Sequence, residues 1–410
     1  MAVIVILVGY EKGHVLPTFC MAKKLLARGH RVCYFGLAEI EAQVRKQGFE
    51  FRRIMDDLLP PDFMTRLRGL SAGEAIQQRK LIEGRYLGSL MRGEALDGLM
   101  RELKPDVVLT SRHHYFVTVV TRYRYNVPIV LLNTSIMGVP RARACQSVVD
   151  YLIGVPGATS LVDLLKSAGV EFKNFADIAA LILQIPELVL YPSAFELPDV
   201  GPNPLTFYVG HEVDLDRIED PFDWSQLYPD RPLIYCSLGS QQDIKGEVSR
   251  RFIRTVIDAA VRRPNWQFVV SLGARLNAKE FGPAPPHVIL GDWAPQLQML
   301  SRANVMITHA GIGTVKECIL NGVPMLALPL MRDQFDCADR IVHHGLGVRG
   351  DVERIGPEEL ISALDQLIAN ESFRERVRVM RDEFERAEAL NLSITIIEEV
   401  ISGCLPSNSI

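Results

Sequence analysis

Two doubly wound α/β halves, each a parallel sheet covered by helices, are predicted to face each other across a cleft. Three observations carry that prediction. Short runs rich in Val, Ile and Leu alternate with helical stretches along the whole chain, and such continuous apolar runs are what strands buried on both faces of a parallel sheet require. The alternation occurs twice, interrupted by Tyr208–Pro232 (YVGHEVDLDRIEDPFDWSQLYPDRP), which is acidic, proline-bearing and without period, as an interdomain linker is. The 410 residues suffice for two domains. Ligands of such sheets bind beyond the carboxyl ends of the strands, and domain junctions favour pockets.

Taken in order, AVIVILV (Ala2–Val8) reads as a first buried strand, followed by a loop and a helix, VLPTFCMAKKLLAR, closed by Gly29 just past its end. RVCYF (Arg31–Phe35), DVVLTS (Asp106–Ser111) and PIVLLNT (Pro128–Thr134) are the next strands, with a helix between the last two. The second series comprises LIYCSLGS (Leu233–Ser240), a helix near Val248–Val261, WQFVVSL (Trp266–Leu272), HVILGDW (His287–Trp293), VMITHA (Val305–Ala310) and PMLALPL (Pro324–Leu330). Charged helical stretches follow from Pro357 onward. The chain is thereby divided into a first domain (1–207), a linker (208–232), a second domain (233–385) and a C-terminal helix (386–410) expected to pack back on the first domain. The region Pro60–Gly93 mixes basic and apolar residues at helical spacing. It reads as a solvated amphipathic face, a cap over a pocket, or a surface resting on lipid in peripheral contact with a membrane.

Composition removes several function classes. Apolar residues make up 48% of the chain and charged residues 23%, as in ordinary globular proteins. With a net charge of −4 there is no basic excess to bind nucleic acid. Seven scattered cysteines without a CxxC pair indicate a reducing compartment, not a disulfide frame or a zinc site. The apolar N-terminus lacks a basic leader and a cleavage site, and no apolar run is long enough to span a bilayer. A cytoplasmic protein is expected.

The stretch ITHAGIGTVKECI (Ile307–Ile319) joins an apolar strand, a histidine with two alternating glycines, and a helical pattern. Two readings are open on these residues alone: a tight turn, or an anion site built from the unpaired N–H groups of a helix N-terminus. The wider context is more specific. DWAPQLQML, then ITHAGIGTVKECILNGVPMLALPLMRDQ, runs in order from Trp293 to Gln334 and resembles the nucleotide-sugar signature of family 1 glycosyltransferases, the UDP-glycosyltransferases of GT-B fold. GHVLPTFCMAKKLLARGHRVCYF resembles that family's N-terminal strand–loop–helix, and CSLGS its first strand and loop in the second domain. The shorter bacterial members that act on antibiotics and other lipophilic natural products are the most similar in character.

What the resemblance implies follows position by position. Trp293, Pro295 and Ala294 would hold the uracil. Gln296 and Glu317 would bind the ribose, Glu317 accepting from both hydroxyls. His309, the N–H groups after Gly311 (at Gly313 and Thr314) and the Thr314 hydroxyl would cradle the diphosphate, with Ser240 near the β-phosphate. Asp333 and Gln334 would read the sugar hydroxyls. His14, in the loop after the first strand, stands where the family keeps its general base. Each also has a structural reading: Trp293 as a core aromatic, Glu317 as a first-turn carboxylate serving a helix dipole, Asp333 as a helix cap, His309 as a structural histidine.

One position departs from the family. The Asp that usually orients the base is replaced by Ser111, followed by Arg112, His113 and His114; the two histidines are local structural or acceptor-site residues. The implied activity is inverting transfer of a sugar from a UDP-sugar donor to a hydroxyl of a small lipophilic acceptor. No metal and no further cofactor is expected, because no His/Asp/Glu cluster has metal-ligand spacing. Glu317 predicts UDP over dTDP donors, and Gln334 predicts glucose. The alternatives are a dTDP-deoxysugar-dependent antibiotic glycosyltransferase, a nucleotide-sugar epimerase (which the GHVLP loop argues against), and a binding-only subunit. The acceptor pocket is expected from Pro60–Gly93 and Arg141–Asp177; the oligomeric state is not legible.

Overall fold

The computed structural model describes residues 1–9, 12–56, 59, 72–136, 141–154, 158–198, 205–239, 246–273 and 276–404. Ser240 and residues 60–71 of the basic-apolar region lie outside the described residues.

The first domain contains β1 (Val3–Leu7), α1 (Lys12–Val15), α2 (Phe19–Ala27), β2 (Arg31–Gly36), α3 (Ala38–Lys46), β3 (Glu50–Arg53), α4 (Ala72–Arg92) and α5 (Asp97–Leu103). It continues with β4 (Val107–Ser111), α6 (Tyr115–Tyr123), β5 (Ile129–Asn133), α7 (Arg141–Gly154), α8 (Ala158–Ser167), α9 (Phe175–Ile182), β6 (Glu187–Val189) and β7 (Thr206–Tyr208). All seven strands are parallel, in the order β3-β2-β1-β4-β5-β6-β7. Both faces are covered, which is why β4 and β5 are buried at every position.

The second domain contains β8 (Leu233–Ser237), α10 (Gly246–Arg262), β9 (Gln267–Ser271), β10 (Val288–Gly291), α11 (Gln296–Leu300), β11 (Val305–Thr308) and α12 (Ile312–Leu320). It ends with β12 (Met325–Ala327), α13 (Gln334–His343), β13 (Gly347–Arg349), α14 (Pro357–Ala369) and α15 (Glu371–Ala389). Its six parallel strands run β10-β9-β8-β11-β12-β13. In each sheet the order reverses beside the first strand, between β1 and β4 and between β8 and β11. Chain leaving those strands at their carboxyl ends enters the space between the domains.

The strands that sequence patterning did not mark are β3, β6, β7 and β13. Each has only three or four residues, and β3, β7 and β13 lie at sheet edges, too short for a period to declare itself. In α4, Leu87, Leu90 and Met91 are buried in the first-domain core, so this end of the basic-apolar region is a packing helix. No helix among the described residues is long and apolar enough to cross a membrane.

The boundary expected at 385/386 falls inside α15; the chain crosses back at Leu390–Asn391, where Asn391 takes a left-handed φ of 50°. The final helix, α16 (Leu392–Ile401), then buries Ile394, Ile396, Ile397 and Val400 among Ile4, Phe19 and Leu25 of the first domain. Each such side chain contributes about 1.5–3 kcal/mol at most. Two polar pins fix the junction. Lys316 of α12 donates to the backbone carbonyls of Leu190 (2.7 Å) and His211 (2.6 Å), and Arg340 of α13 pairs with Glu196.

Candidate active site

Between the domains lies a cleft of about 500 Å³. A larger hollow of about 980 Å³ on the first domain, beside Arg53, Leu81 and Arg85, has none of the residues that the sequence marks for chemistry, so the cleft is the site on chemical grounds.

The HAGIG turn explains itself here. His309 leaves β11 and its ring lies between two glycines. A Cβ on Gly239 would come within 2.5 Å of the ring, and so would one on Gly311. Gly239 also has a left-handed φ of 82°. Gly311 is the N-cap residue of α12 and offers no capping side chain. The N–H groups of Ile312, Gly313 and Thr314 precede the first intrahelical bond, from Val315 N–H to the Gly311 carbonyl at 3.1 Å, and all three residues line the cleft. A helix N-terminus open to the cleft with a histidine beside it is suited to an anion. Burial pushes the His309 imidazolium down to about 4, against the opposing pull of the Ser237 backbone. His309 is therefore neutral at pH 7.

Nearby, Trp293 is 44% exposed and lines the cleft, and Ala294 is buried. Pro295 is the N-cap residue of α11. Trp293 is thus not a core aromatic but part of the cleft wall. Glu317 faces the cleft but is already engaged. Both of its oxygens accept from Arg217, whose Nη2 lies 3.2 Å from Oε2, and Gln296 Nε2 donates to Oε2 at 2.5 Å. Gln296 also reaches the Thr314 hydroxyl at 3.3 Å. Arg217 belongs to the segment read as a linker. So does Glu219, which pairs with Arg217 at 2.9 Å and accepts from the N–H groups of Leu297 and Gln298, both at 3.1 Å. The carboxylate expected to bind the ribose is thus hydrogen-bonded by Arg217 and Gln296.

The two expected sugar readers also have protein partners. Asp333 accepts from the Ile136 N–H across the cleft at 3.2 Å and makes no cap bond to α13. Gln334 Oε1 accepts from the N–H groups of Leu330 (2.9 Å) and Met331 (3.0 Å). These bonds fix the loop, and both residues still line the cleft.

On the opposite wall, His14 stands in α1 with its ring over Gly9, where a Cβ would lie 3.3 Å away. Its Nδ1 is 2.6 Å from the Thr134 hydroxyl, just beyond β5. Ser111, the residue expected to stand beside this base, is buried at the end of β4, and its hydroxyl accepts from the His113 N–H at 3.4 Å. The Thr134 contact to His14 comes from the β5 loop. His113 lines the cleft, whereas His114 turns away and places Nδ1 3.4 Å from the Thr110 hydroxyl. Desolvation by the cleft walls, then the nearby Arg112, His14, His114 and Arg332, push the His113 imidazolium down to about 3. His113 is at the same time an exposed residue of this loop.

Sequence reasoning missed Thr134, Arg217 and Glu219. Arg217 had a signal: it is the lone cation among Asp214, Asp216, Glu219 and Asp220. Of metal-ligating groups among the described residues, one cluster forms, Cys20, Glu212 and Glu388, at the domain junction. There Lys24 already bonds both carboxylates, Glu212 at 3.2 Å.

Known proteins resemble this chain in sequence and in fold. The family described as UDP-glucoronosyl and UDP-glucosyl transferase matches residues 229–387. The chain is 24% identical over 399 residues to the NDP-glycosyltransferase YjiC of Bacillus subtilis, covering 94% of both. It is 27% identical over 360 residues to the oleandomycin glycosyltransferase of Streptomyces antibioticus, covering 82% of this chain and 76% of that one. The solved glycosyltransferase of kitacinnamycin superposes with a TM-score of 0.76 at 25% identity, over 98% of this chain and 99% of the other. Residues 229–387 thus match that family, and the likeness along the whole chain is to glycosyltransferases of GT-B fold.

Proposed function

We propose that the enzyme transfers a hexose, glucose foremost, from a nucleoside diphosphate sugar such as UDP-glucose to a hydroxyl of a small lipophilic acceptor, with inversion. The observation that carries this reading is the opposition of two groups across one cleft: the His14–Thr134 pair on one wall and the open N-terminus of α12 with His309 on the other. An acceptor hydroxyl must lose its proton as it attacks. For Nε2 of His14 to take it, Nδ1 carries a proton and donates to the Thr134 hydroxyl, which orients the ring. The new O–C1 bond forms on one face of the sugar as the C1–O bond to the β-phosphate breaks on the other. The electron pair leaves with the diphosphate, where oriented N–H groups and the helix dipole receive it. Electrostatic stabilisation of this kind needs no divalent ion. The small lipophilic acceptor draws support from the relative that acts on oleandomycin.

The test is a mass-spectrometric screen of phenols and aliphatic alcohols with UDP-glucose, UDP-galactose and UDP-N-acetylglucosamine, with and without EDTA. A glucosylated product formed equally in EDTA is expected. Faster transfer of galactose or N-acetylglucosamine would overturn the sugar assignment. Activity abolished by EDTA and restored by magnesium would overturn the metal-free mechanism.

A further inference from the structure

The carboxylate expected to read the ribose is crowded. An ionised carboxylate offers about four acceptor positions. Arg217 fills one on Oε1 of Glu317, while Arg217 and Gln296 fill both on Oε2. One position remains. A ribose presents two hydroxyls to this group and a 2′-deoxyribose presents one, the 3′-hydroxyl common to both. To accept the second, Glu317 must release a charge-assisted bond in exchange for one from a neutral hydroxyl, the weaker of the two. Arg217 is not free to make way. Its side chain is 8% exposed and held from behind by Glu219, itself fixed by two backbone N–H groups at the start of α11. Gln296, the other expected ribose reader, is committed to Glu317 and Thr314.

We infer that Arg217 sets the nucleotide specificity of the donor site: with it in place the enzyme does not read the 2′-hydroxyl, and UDP- and dTDP-sugars are both donors. The inference rests on the proposed donor role of the cleft and deepens it. It makes Arg217 a positioning residue that acts through Glu317, and it gives the interdomain segment a part in substrate choice.

The experiment compares UDP with dUDP, which differ only at the 2′-hydroxyl, by titration calorimetry on the full chain, with dTDP as a third ligand. In the wild type, UDP and dUDP are expected to bind within about threefold of one another. In Arg217→Gln the freed acceptor positions should raise the UDP:dUDP affinity ratio to tenfold or more. Arg217→Lys, which returns a single point donor, should give an intermediate ratio and serves if the Gln variant fails a thermal-unfolding check. A wild-type ratio of tenfold or more overturns the inference, as does a ratio unchanged in the folded variant. Failure of all three nucleotides to bind the wild type is a different result: it removes the donor site itself, and the proposed function with it.

Discussion

Every donor-wall group that the sequence named and the structure describes comes from one stretch of chain, Trp293 to Gln334, on α11, α12, α13 and the loops joining them. The acceptor wall gathers His14, His113 and Thr134 from loops after three different strands, β1, β4 and β5. The donor wall solves a fixed problem, since every nucleotide-sugar donor carries a diphosphate, and a helix N-terminus with its flanking loops solves it locally. The acceptor wall must place one base against a variable partner. Its groups need only converge in space, so they leave no pattern in the chain.

If the walls are functionally separable, His14→Ala should lower turnover by about 10²–10⁴-fold and leave nucleotide affinity near the wild-type value by calorimetry. Loss of nucleotide binding in that variant would break the distinction. Acid sharpens the comparison from the donor side. His309 and His211 are both pushed down to about 4, by burial first in each case, whereas an unfolded chain titrates them near 6.5. Between pH 6.5 and 4 the unfolded state binds protons that the folded state refuses, so stability falls as the pH drops through this window. Urea unfolding should show a loss of about 2 kcal/mol for each histidine from pH 7 to 5; a flat profile would mean the two rings are not held neutral.

Next in size is the glycine cradle. Gly239→Ala and Gly311→Ala each drive a Cβ into the His309 ring, and nucleotide affinity should fall about tenfold, a cost of about 1.4 kcal/mol. Fluorescence titration with UDP would read it; unchanged affinity would take His309 out of the donor wall. The smallest effect separates two hydroxyls. Thr134→Val should lower kcat by about three- to tenfold, a cost of about 1 kcal/mol for one neutral hydrogen bond, while Ser111→Ala should be nearly silent. Equal effects would return the orienting role to the β4 loop.

The same contrast explains what was legible. The long central strands and the glycine turn entering α12 were readable because local periodicity and glycine chemistry dictate them. His14 was marked by the resemblance of its GHVLP loop, directly after the first strand, to the family's. Thr134 was not, since a threonine ending a strand has no signature until the neighbouring strand brings a histidine to it. Arg217 escaped because aperiodic acidic sequence reads as a tether. Only the folded path of that segment, back along the start of α11, turns Arg217 toward Glu317.

The seat of α16 has a consequence for how the protein is made. Ile394, Ile396, Ile397 and Val400 complete a core whose other members include Ile4, Ile6, Phe19 and Leu25. During synthesis the first domain emerges early, yet the side chains that close one of its faces are translated almost 400 residues after Ile4. A nascent domain ordinarily finishes folding before the next one appears. Here the first must wait with an apolar surface uncovered, at about 5–20 residues per second, until the second domain has followed it out of the ribosome. The order of translation and the order of completion are therefore reversed, and chaperone demand should fall on the half of the molecule that is born first.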